Sequence, residues 1–281
     1  MKSQELCGNT NSNYKVMKHF FSFLLFLTGI TIQASTTETI KVYSPSMKKE
    51  ISVIVISPSV TTQLSNTIYI LHGYTGNPQR TLEKDIPTLV NRADKEQTIF
   101  VLPDGNYNSW YVNSPVNQAS QYETFIGSEL VTYIDKHYPT LKNRSNRGLL
   151  GWSMGGYGTL LIGSQYSQTF GILGSICGAL DIRTFGNDYQ VDKVLGPKSK
   201  LWEQYVISNR IAYFKTSNQQ LILDCGTEDP LITQNRTFHQ LLTDQAIPHE
   251  YMERLGKHDT AYWSEAAEIQ LLYFNRFFNG K

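Results

Sequence analysis

Short apolar segments alternate with helical patterns along most of this chain. The stretches NTIYILHG, EQTIFVLPDG, RGLLGW and QQLILDCG are typical of buried strands. Residues 121–138 and about 261–278 carry apolar side chains at helical spacing. Strands that alternate with helices form βαβ units, whose sheets are mostly parallel and covered on both faces. The chain therefore predicts an α/β fold with a mostly parallel central sheet flanked by helices.

Two regions depart from this alternation. The segments ETIKVYS and EISVIVISP, at the start of the pattern, are β-rich and predict an opening hairpin. The segment FGILGSICGALD predicts a further strand. Residues 181–218, which follow it, are polar with scattered aromatic side chains and fit no repeat of the pattern. We expect this region to form a small excursion over the carboxyl edge of the sheet.

Residues 17–34, MKHFFSFLLFLTGITIQA, have the pattern of a secretory signal peptide. A basic start precedes the apolar run 20–32, and the small residue Ala34 precedes a polar stretch. The apolar run is too short to span a bilayer comfortably. We predict an N-terminal extension and signal peptide over residues 1–34 and one domain over 35–281. The protein is then expected to be secreted or periplasmic, with no stable membrane anchor after cleavage; an uncleaved anchor is the alternative.

Charge and cysteine content narrow the class of protein. The formal net charge is +1, from 25 basic and 24 acidic side chains, so nothing favours a nucleic-acid partner. Only Cys177 and Cys225 remain after the predicted cleavage, too few for a disulfide framework. Each lies in an apolar strand-like run, so we expect two buried free thiols. A single, strained bridge between neighbouring strands is the alternative.

The segment RGLLGWSMGGYGTL, residues 147–160, places a serine between glycines where a predicted strand meets a predicted helix. Gly151, Ser153 and Gly155 fit the pattern G-x-S-x-G, which in this context forms a sharp turn that exposes the serine hydroxyl. The following helix directs the positive end of its dipole at that hydroxyl. We therefore predict that Ser153 is a nucleophile. A glycine-rich helix packed tightly on the sheet is the structural alternative.

A serine hydroxyl needs a general base, and chains with this turn carry the acid and then the histidine after the serine. Three histidines follow Ser153 in the sequence. His239 lies in an amphipathic helical pattern and His249 opens a strand-like segment. His258 lies in a loop between the last strand and the last helix, and it is therefore the predicted base.

The acid that orients the base is expected to follow the strand-like run LILDC. Asp229 lies in the loop after that run, with Pro230 behind it to fix the turn. We therefore predict that Asp229 is the acid. Asp224, which is still within the run, and Glu228 are the alternatives.

A tetrahedral intermediate needs two hydrogen-bond donors for its oxyanion. The backbone N–H of Met154, directly after the nucleophile, is expected to be one. The N–H of Tyr74, in the loop LHGYTGN, is expected to be the other. His72 in the same loop precedes the serine, so we expect it to make a structural hydrogen bond and not to act as the base.

Five segments together resemble the α/β-hydrolase family that contains esterase D, S-formylglutathione hydrolase, tributyrin esterases, and feruloyl and acetylxylan esterases. The segments are LHGYTGN, VLPDGNYNSWYVNSP, GLLGWSMGGYGTL, DCGTEDPL and GKHDTAYW, and they span about residue 40 to the C-terminus. The resemblance implies an α/β-hydrolase fold and no metal or organic cofactor. It implies a catalytic triad of Ser153, Asp229 and His258, with Tyr74 and Met154 as oxyanion donors.

The same resemblance bears on the substrate pocket. It suggests that Trp110, in NSWY, helps to wall the acyl pocket; ordinary packing is the alternative. Two positions depart from the family's pattern. Lys257 stands where relatives often carry a second glycine, and Thr260 stands where an aromatic is common. Both flank His258, so both would change the shape of the pocket.

The predicted export argues against S-formylglutathione hydrolase, whose substrate is cytosolic. Secreted members of the resembled family tend to act on carbohydrate-linked or short acyl esters. The resemblance therefore implies a secreted serine carboxylesterase that takes a small-molecule or carbohydrate ester, feruloyl, acetyl or short-chain. Two alternatives stay open: an acyltransferase with the same triad, and a non-catalytic carbohydrate-binding relative that keeps only the fold.

Overall fold

A computed structural model describes residues 34–60 and 62–280, which contain one eight-stranded sheet. The strands are β1 Thr36–Ser44, β2 Lys49–Ser57, β3 Asn66–Leu71, β4 Thr98–Pro103, β5 Arg147–Trp152, β6 Ile172–Ile176, β7 Gln220–Gly226 and β8 Glu250–Arg254. They lie in the order β1-β2-β4-β3-β5-β6-β7-β8. β2 is antiparallel to β1 and β4, and the other neighbouring pairs are parallel. This confirms the mostly parallel sheet and the opening hairpin.

Helices connect the strands from β3 onward. The α-helices are α1 Pro78–Arg80, α2 Leu89–Glu96, α3 Tyr122–Thr124, α4 Leu130–His137, α5 Met154–Gln165, α6 Val191–Leu195, α7 Ile211–Ser217, α8 Ile232–Asp244 and α9 Thr260–Phe278. Two π-helical turns, Thr81–Asp85 and Phe125–Glu129, follow α1 and α3. The helix predicted over 121–138 is thus one helical segment that includes a π turn, and the helix predicted over about 261–278 is α9.

Both faces of the sheet are covered, as the sequence predicted. Successive side chains of a strand point to opposite faces. In β5, Leu149 belongs to a core shared with α5 and α8, whereas Leu150 belongs to a core shared with α2 and α9. Every residue of β5 is buried. This explains why the strand appears in the sequence as a continuous apolar run without alternation.

The strand predicted over FGILGSICGALD is shorter than expected, and this prediction is corrected. β6 ends at Ile176, because Cys177 has a φ of +45°, which an extended strand does not adopt. The Cys177 N–H still donates a hydrogen bond to the Asp224 carbonyl, at 2.7 Å. The chain therefore leaves the sheet at its carboxyl edge, directly before the expected excursion.

The excursion over residues 181–218 contains no strand. It consists of α6, α7 and three short 3₁₀ turns, Ile182–Thr184, Lys200–Tyr205 and Ile207–Arg210; a fourth 3₁₀ turn, Arg144–Asn146, precedes β5. None of the described helices has the length and apolar character that a membrane span requires. The predicted N-terminal extension and signal peptide lie outside the described residues up to residue 33.

Candidate active site

Ser153 lies on a strained turn between β5 and α5. Its backbone has φ +56° and ψ −119°, a conformation that is rare for residues other than glycine. The turn also requires two close approaches of the backbone. A Cβ on Gly151 would lie 2.5 Å from the Gly155 carbonyl oxygen, and a Cβ on Gly155 would lie 2.0 Å from the Leu71 carbonyl oxygen. Both glycines of the G-x-S-x-G pattern are therefore required by packing.

The structure brings Ser153, His258 and Asp229 into one hydrogen-bonded chain. The His258 Nε2 atom lies 2.9 Å from the Ser153 Oγ atom, and the His258 Nδ1 atom lies 2.7 Å from the Asp229 Oδ2 atom. In a neutral imidazole, Nδ1–H donates to the carboxylate and Nε2 accepts from the serine hydroxyl. This arrangement can remove a proton from the hydroxyl as it attacks an electrophilic carbon.

Asp229 is the carboxylate that meets His258. It is 2% exposed, and its Oδ1 atom accepts a hydrogen bond from the Leu231 N–H at 2.8 Å. The two alternatives lie elsewhere. Asp224 is paired with Arg254, and Glu228 is exposed, 3.8 Å from the Lys257 ammonium. Neither alternative hydrogen-bonds to His258 within the described part of the chain.

The surroundings of His258 shift its pKa. Burial lowers that pKa, but the hydrogen bond to Asp229 and the contact with Cys177 raise it, with a net rise from 6.5 to about 9. The neighbouring Cys225 thiol and burial hold the pKa of Cys177 far above its ordinary value, so its thiol is uncharged at neutral pH. The Asp229 carboxylate is therefore the charge that favours the protonated imidazole.

The two residues predicted to supply oxyanion donors both border the cleft at Ser153. Met154 is the first residue of α5, so its N–H has no acceptor within the helix. Tyr74 follows Gly73 in the loop after β3, and both Tyr74 and Met154 line the same cleft as Ser153. Their predicted role as oxyanion donors remains a prediction.

His72 holds the loop that carries Tyr74. Its ring is buried, its Nδ1 donates to the Gly73 carbonyl oxygen at 2.8 Å, and its Nε2 accepts from the Gly105 N–H at 2.9 Å. The Tyr111 hydroxyl donates to the His72 carbonyl oxygen. Both ring nitrogens are thus occupied by backbone groups, and the structural role expected for His72 is confirmed.

The cleft at Ser153 has a volume of about 230 Å³. Trp110 lies on its wall, buried, with a φ of +51° and its indole N–H donating to the Tyr189 carbonyl oxygen at 2.9 Å. The Trp110 ring packs against Phe185 at 5.0 Å between centroids. The structure therefore places Trp110 where the sequence analysis expected it; its role toward an acyl group stays a prediction.

Comparison with known proteins identifies the family. The Esterase family, described as "Putative esterase", matches residues 44–271. This chain belongs to the Esterase family. An acetyl esterase of Caldicellulosiruptor saccharolyticus is 26% identical over 251 residues, which cover 80% of this chain and 93% of that protein. The family predicted from the sequence is confirmed.

Solved structures of other proteins share the fold of this chain. A ferulic acid esterase superposes with a TM-score of 0.74 at 22% identity, covering 87% of this chain and 99% of that one. A fluorophosphonate-binding serine hydrolase of Staphylococcus aureus superposes with a TM-score of 0.75 at 20% identity, covering 86% and 99%. At these identities the likeness shows the fold, and the predicted α/β-hydrolase fold is confirmed.

Several residues of this Esterase-family cleft were not found by sequence reasoning. Phe185 and Tyr189 come from the excursion, which has no periodic pattern to place them. Arg80 and Asp85 follow the LHGYTGN segment and also line the cleft. Trp263 packs edge-on against the His258 ring at 5.1 Å. Trp263 could have been found from the sequence, because it is the last residue of the segment GKHDTAYW, which contains His258.

Both cysteines expected in the domain are buried and free. The Cys177 sulfur, an Asp229 oxygen and a His258 nitrogen lie within 4.8 Å of one another, so they are possible metal ligands by type. Asp229 and His258 are already joined by a hydrogen bond. The sequence analysis expects no metal here, and that expectation stays a prediction.

Proposed function

We propose that this Esterase-family protein is a serine carboxylesterase that works through an acyl-enzyme. The hydrogen-bonded chain from Ser153 through His258 to Asp229 carries this proposal. Ser153 attacks the ester carbonyl carbon as His258 takes the hydroxyl proton. His258 then gives that proton to the leaving alcohol, and the C–O bond of the ester breaks. In the second half of the cycle His258 activates water, which releases the acid and restores the serine.

Asp229 and the oxyanion donors stabilise the charges that form during this cycle. The buried Asp229 carboxylate holds the His258 ring and stabilises the imidazolium. The N–H groups of Met154 and Tyr74 donate to the oxygen that becomes negative in the tetrahedral intermediate. Their position at the end of a helix and in the loop held by His72 supports this assignment, since neither donor must reorganise during the reaction.

We further propose that the ester is carbohydrate-linked, feruloyl or acetyl, or carries a short acyl chain. Relatives named acetyl esterase and ferulic acid esterase support this range. The aromatic wall of Trp110, Phe185 and Tyr189 offers an apolar surface for an acyl group. The predicted signal peptide supports action in the periplasm or outside the cell.

Labelling with a fluorophosphonate probe tests the nucleophile. We expect the probe to modify Ser153, located by peptide mass spectrometry, and Ser153→Ala to lower turnover of p-nitrophenyl acetate on the order of 10⁶-fold. Ser145→Ala, at an exposed serine before β5, is the matched control and should keep wild-type activity. An unlabelled Ser153, or a Ser153→Ala variant that still hydrolyses the ester, would contradict the proposed function.

A further inference from the structure

Two chemically different groups of residues line the cleft at Ser153. One group, the aromatic end, consists of Tyr74, Trp110, Phe185 and Tyr189, whose rings pack against one another. The other group, the polar end, contains the charged side chains of Arg80 and Asp85. An ester has two parts, an acyl group and an alcohol, so the two ends can be assigned by the chemistry of the reaction.

The polar end is a connected cluster of three side chains, which we call the Arg80 cluster: Arg80, Asp85 and Thr260. The Arg80 Nη2 donates to the Thr260 Oγ1 atom at 3.1 Å, and that hydroxyl donates to the Asp85 Oδ1 atom at 3.3 Å. The Arg80 Nε atom lies 3.5 Å from the same Asp85 oxygen. The cluster therefore joins α1 and the π-helical turn after it to the start of α9.

One oxygen of this cluster lacks a partner. Asp85 is 1% exposed, yet its Oδ2 atom accepts no hydrogen bond from the residues that the structure describes. Burial raises the pKa of the Asp85 carboxyl, and Arg80 and Thr260 oppose that rise. The Asp85 Oδ2 atom is not enclosed by the protein, and Asp85 lines the cleft, so this oxygen is open to a ligand that brings a hydroxyl to it.

The position of His258 decides which part of the ester meets the cluster. In the proposed cycle His258 Nε2 protonates the leaving oxygen, so the alcohol must lie on the His258 side of Ser153. Thr260 is two residues after His258, and Trp263, one turn further, packs against the His258 ring. We therefore assign the Arg80 cluster to the leaving alcohol and the aromatic end to the acyl group.

We propose, resting on the proposed function, that Arg80 and Asp85 bind the alcohol part of the ester and select a sugar with neighbouring hydroxyls. A hydroxyl can donate to Asp85 and accept from Arg80, so two adjacent hydroxyls satisfy the pair. A plain alkyl alcohol would cover the Asp85 oxygen and leave it without any donor.

Paired esters of one acid test this selection. We would compare a monoacetate of methyl β-xylopyranoside with methyl acetate, and a feruloyl arabinofuranoside with methyl ferulate. Within each pair the acyl group is the same, so the ratio of kcat/KM values reports the alcohol, through both its quality as a leaving group and its recognition. The part of the ratio that variants of the Arg80 cluster remove reports recognition of the sugar. We expect wild-type protein to favour the sugar ester about tenfold or more in at least one pair. The methyl ester lacks the hydroxyls that would hydrogen-bond to the charged side chains, and the loss of such bonds corresponds to a factor of this size.

Two variants link the preference to the cluster. Asp85→Asn and Arg80→Gln should each reduce the ratio for the preferred pair about tenfold. Lys84→Ala changes an exposed side chain between them and is the matched control, with the ratio kept. Thermal melting of each variant shows whether it is folded. A wild-type ratio near one in both pairs, or variants that keep the wild-type ratio, would overturn the proposal.

Binding separates this inference from the proposed function. Calorimetric titration of Ser153→Ala protein with the preferred sugar ester, or with both sugar esters if neither is hydrolysed, measures recognition without turnover. We expect binding that Asp85→Asn, added to Ser153→Ala, weakens about tenfold. If wild-type protein hydrolyses no ester but this binding is seen, the proposed function fails and the sugar site stands. If esters are hydrolysed and Asp85→Asn does not weaken binding, the proposed sugar site is wrong and the proposed esterase function stands.

Discussion

At the scale of single residues, Asp229 sets both the orientation and the basicity of His258. An amide at this position cannot accept the Nδ1–H in the same way, so Asp229→Asn is expected to lower kcat on the order of 10⁴-fold. Steady-state hydrolysis of p-nitrophenyl acetate measures the loss. Glu228→Gln removes the exposed neighbouring carboxylate and is the control, with kcat near wild type. Near-full activity in Asp229→Asn together with a large loss in Asp224→Asn would move the acid to Asp224.

The same carboxylate is expected to govern the pH dependence of the proposed reaction. The general base must be neutral, and the pKa of His258 is raised from 6.5 to about 9, so kcat/KM should increase with pH through an apparent pKa above 6.5. Asp229→Asn removes the charge that contributes most to raising this pKa, while burial still lowers it. The midpoint of its profile should therefore fall. A pH-stat assay with a methyl ester, across roughly pH 5–10, measures both profiles; identical midpoints would contradict this account.

At the scale of elements, Asp224 joins β7, β8 and α9. Its buried carboxylate lies 3.1 and 3.2 Å from the Arg254 Nη2 atom and accepts a short hydrogen bond from the Tyr262 hydroxyl. Asp224→Asn removes the buried carboxylate, but Arg254 keeps Glu265 as a partner, so the variant should lower the free energy of unfolding by about 1–3 kcal/mol. Glu265→Gln removes the exposed partner of the same Arg254 and should cost below about 1 kcal/mol.

Urea unfolding of the two variants beside wild-type protein measures this difference. Equal losses in Asp224→Asn and Glu265→Gln would show that burial does not distinguish the two carboxylates. A large loss confined to Asp224→Asn would show that Asp224 stabilises the fold. It would then be clear why Asp224 was an alternative for the acid in the sequence, although the structure pairs it with other residues. Its partners are fixed by the pairing of β7 with β8, which no local pattern reveals.

The elements that the sequence predicted are those whose signal is local. The G-x-S-x-G turn and the loop after β7 each follow an apolar run, so their side chains could be placed at the carboxyl edge from a few neighbouring residues. The segment 78–96 received no assignment, and its contact from Arg80 to Thr260 joins residues 180 positions apart. Trp110 was found only by resemblance to the family. Its backbone has a positive φ, and a tryptophan in a sequence does not indicate such a conformation.

At the scale of the whole molecule, export and the state of the thiols can be measured together. Cys177 and Cys225 are fully buried and free, the first directly after β6 and the second within the adjacent β7. A bridge between neighbouring strands would be strained, both sulfur atoms are shielded from solvent, and the raised pKa of Cys177 keeps its thiol uncharged. We therefore expect both thiols to persist even in an oxidising compartment, while Cys7 is removed with the predicted signal peptide.

Thiol titration of the exported protein tests this expectation. Ellman's reagent should find no reactive thiol in the folded protein and two in guanidinium chloride, and intact mass should place the N-terminus at Ser35. Three thiols after unfolding would show that Cys7, and with it the N-terminal extension, is retained. No thiol after unfolding would show that Cys177 and Cys225 are bridged. Since Cys177 contacts His258, a bridge there would also move the base, and the loss of esterase activity on oxidation would reveal it.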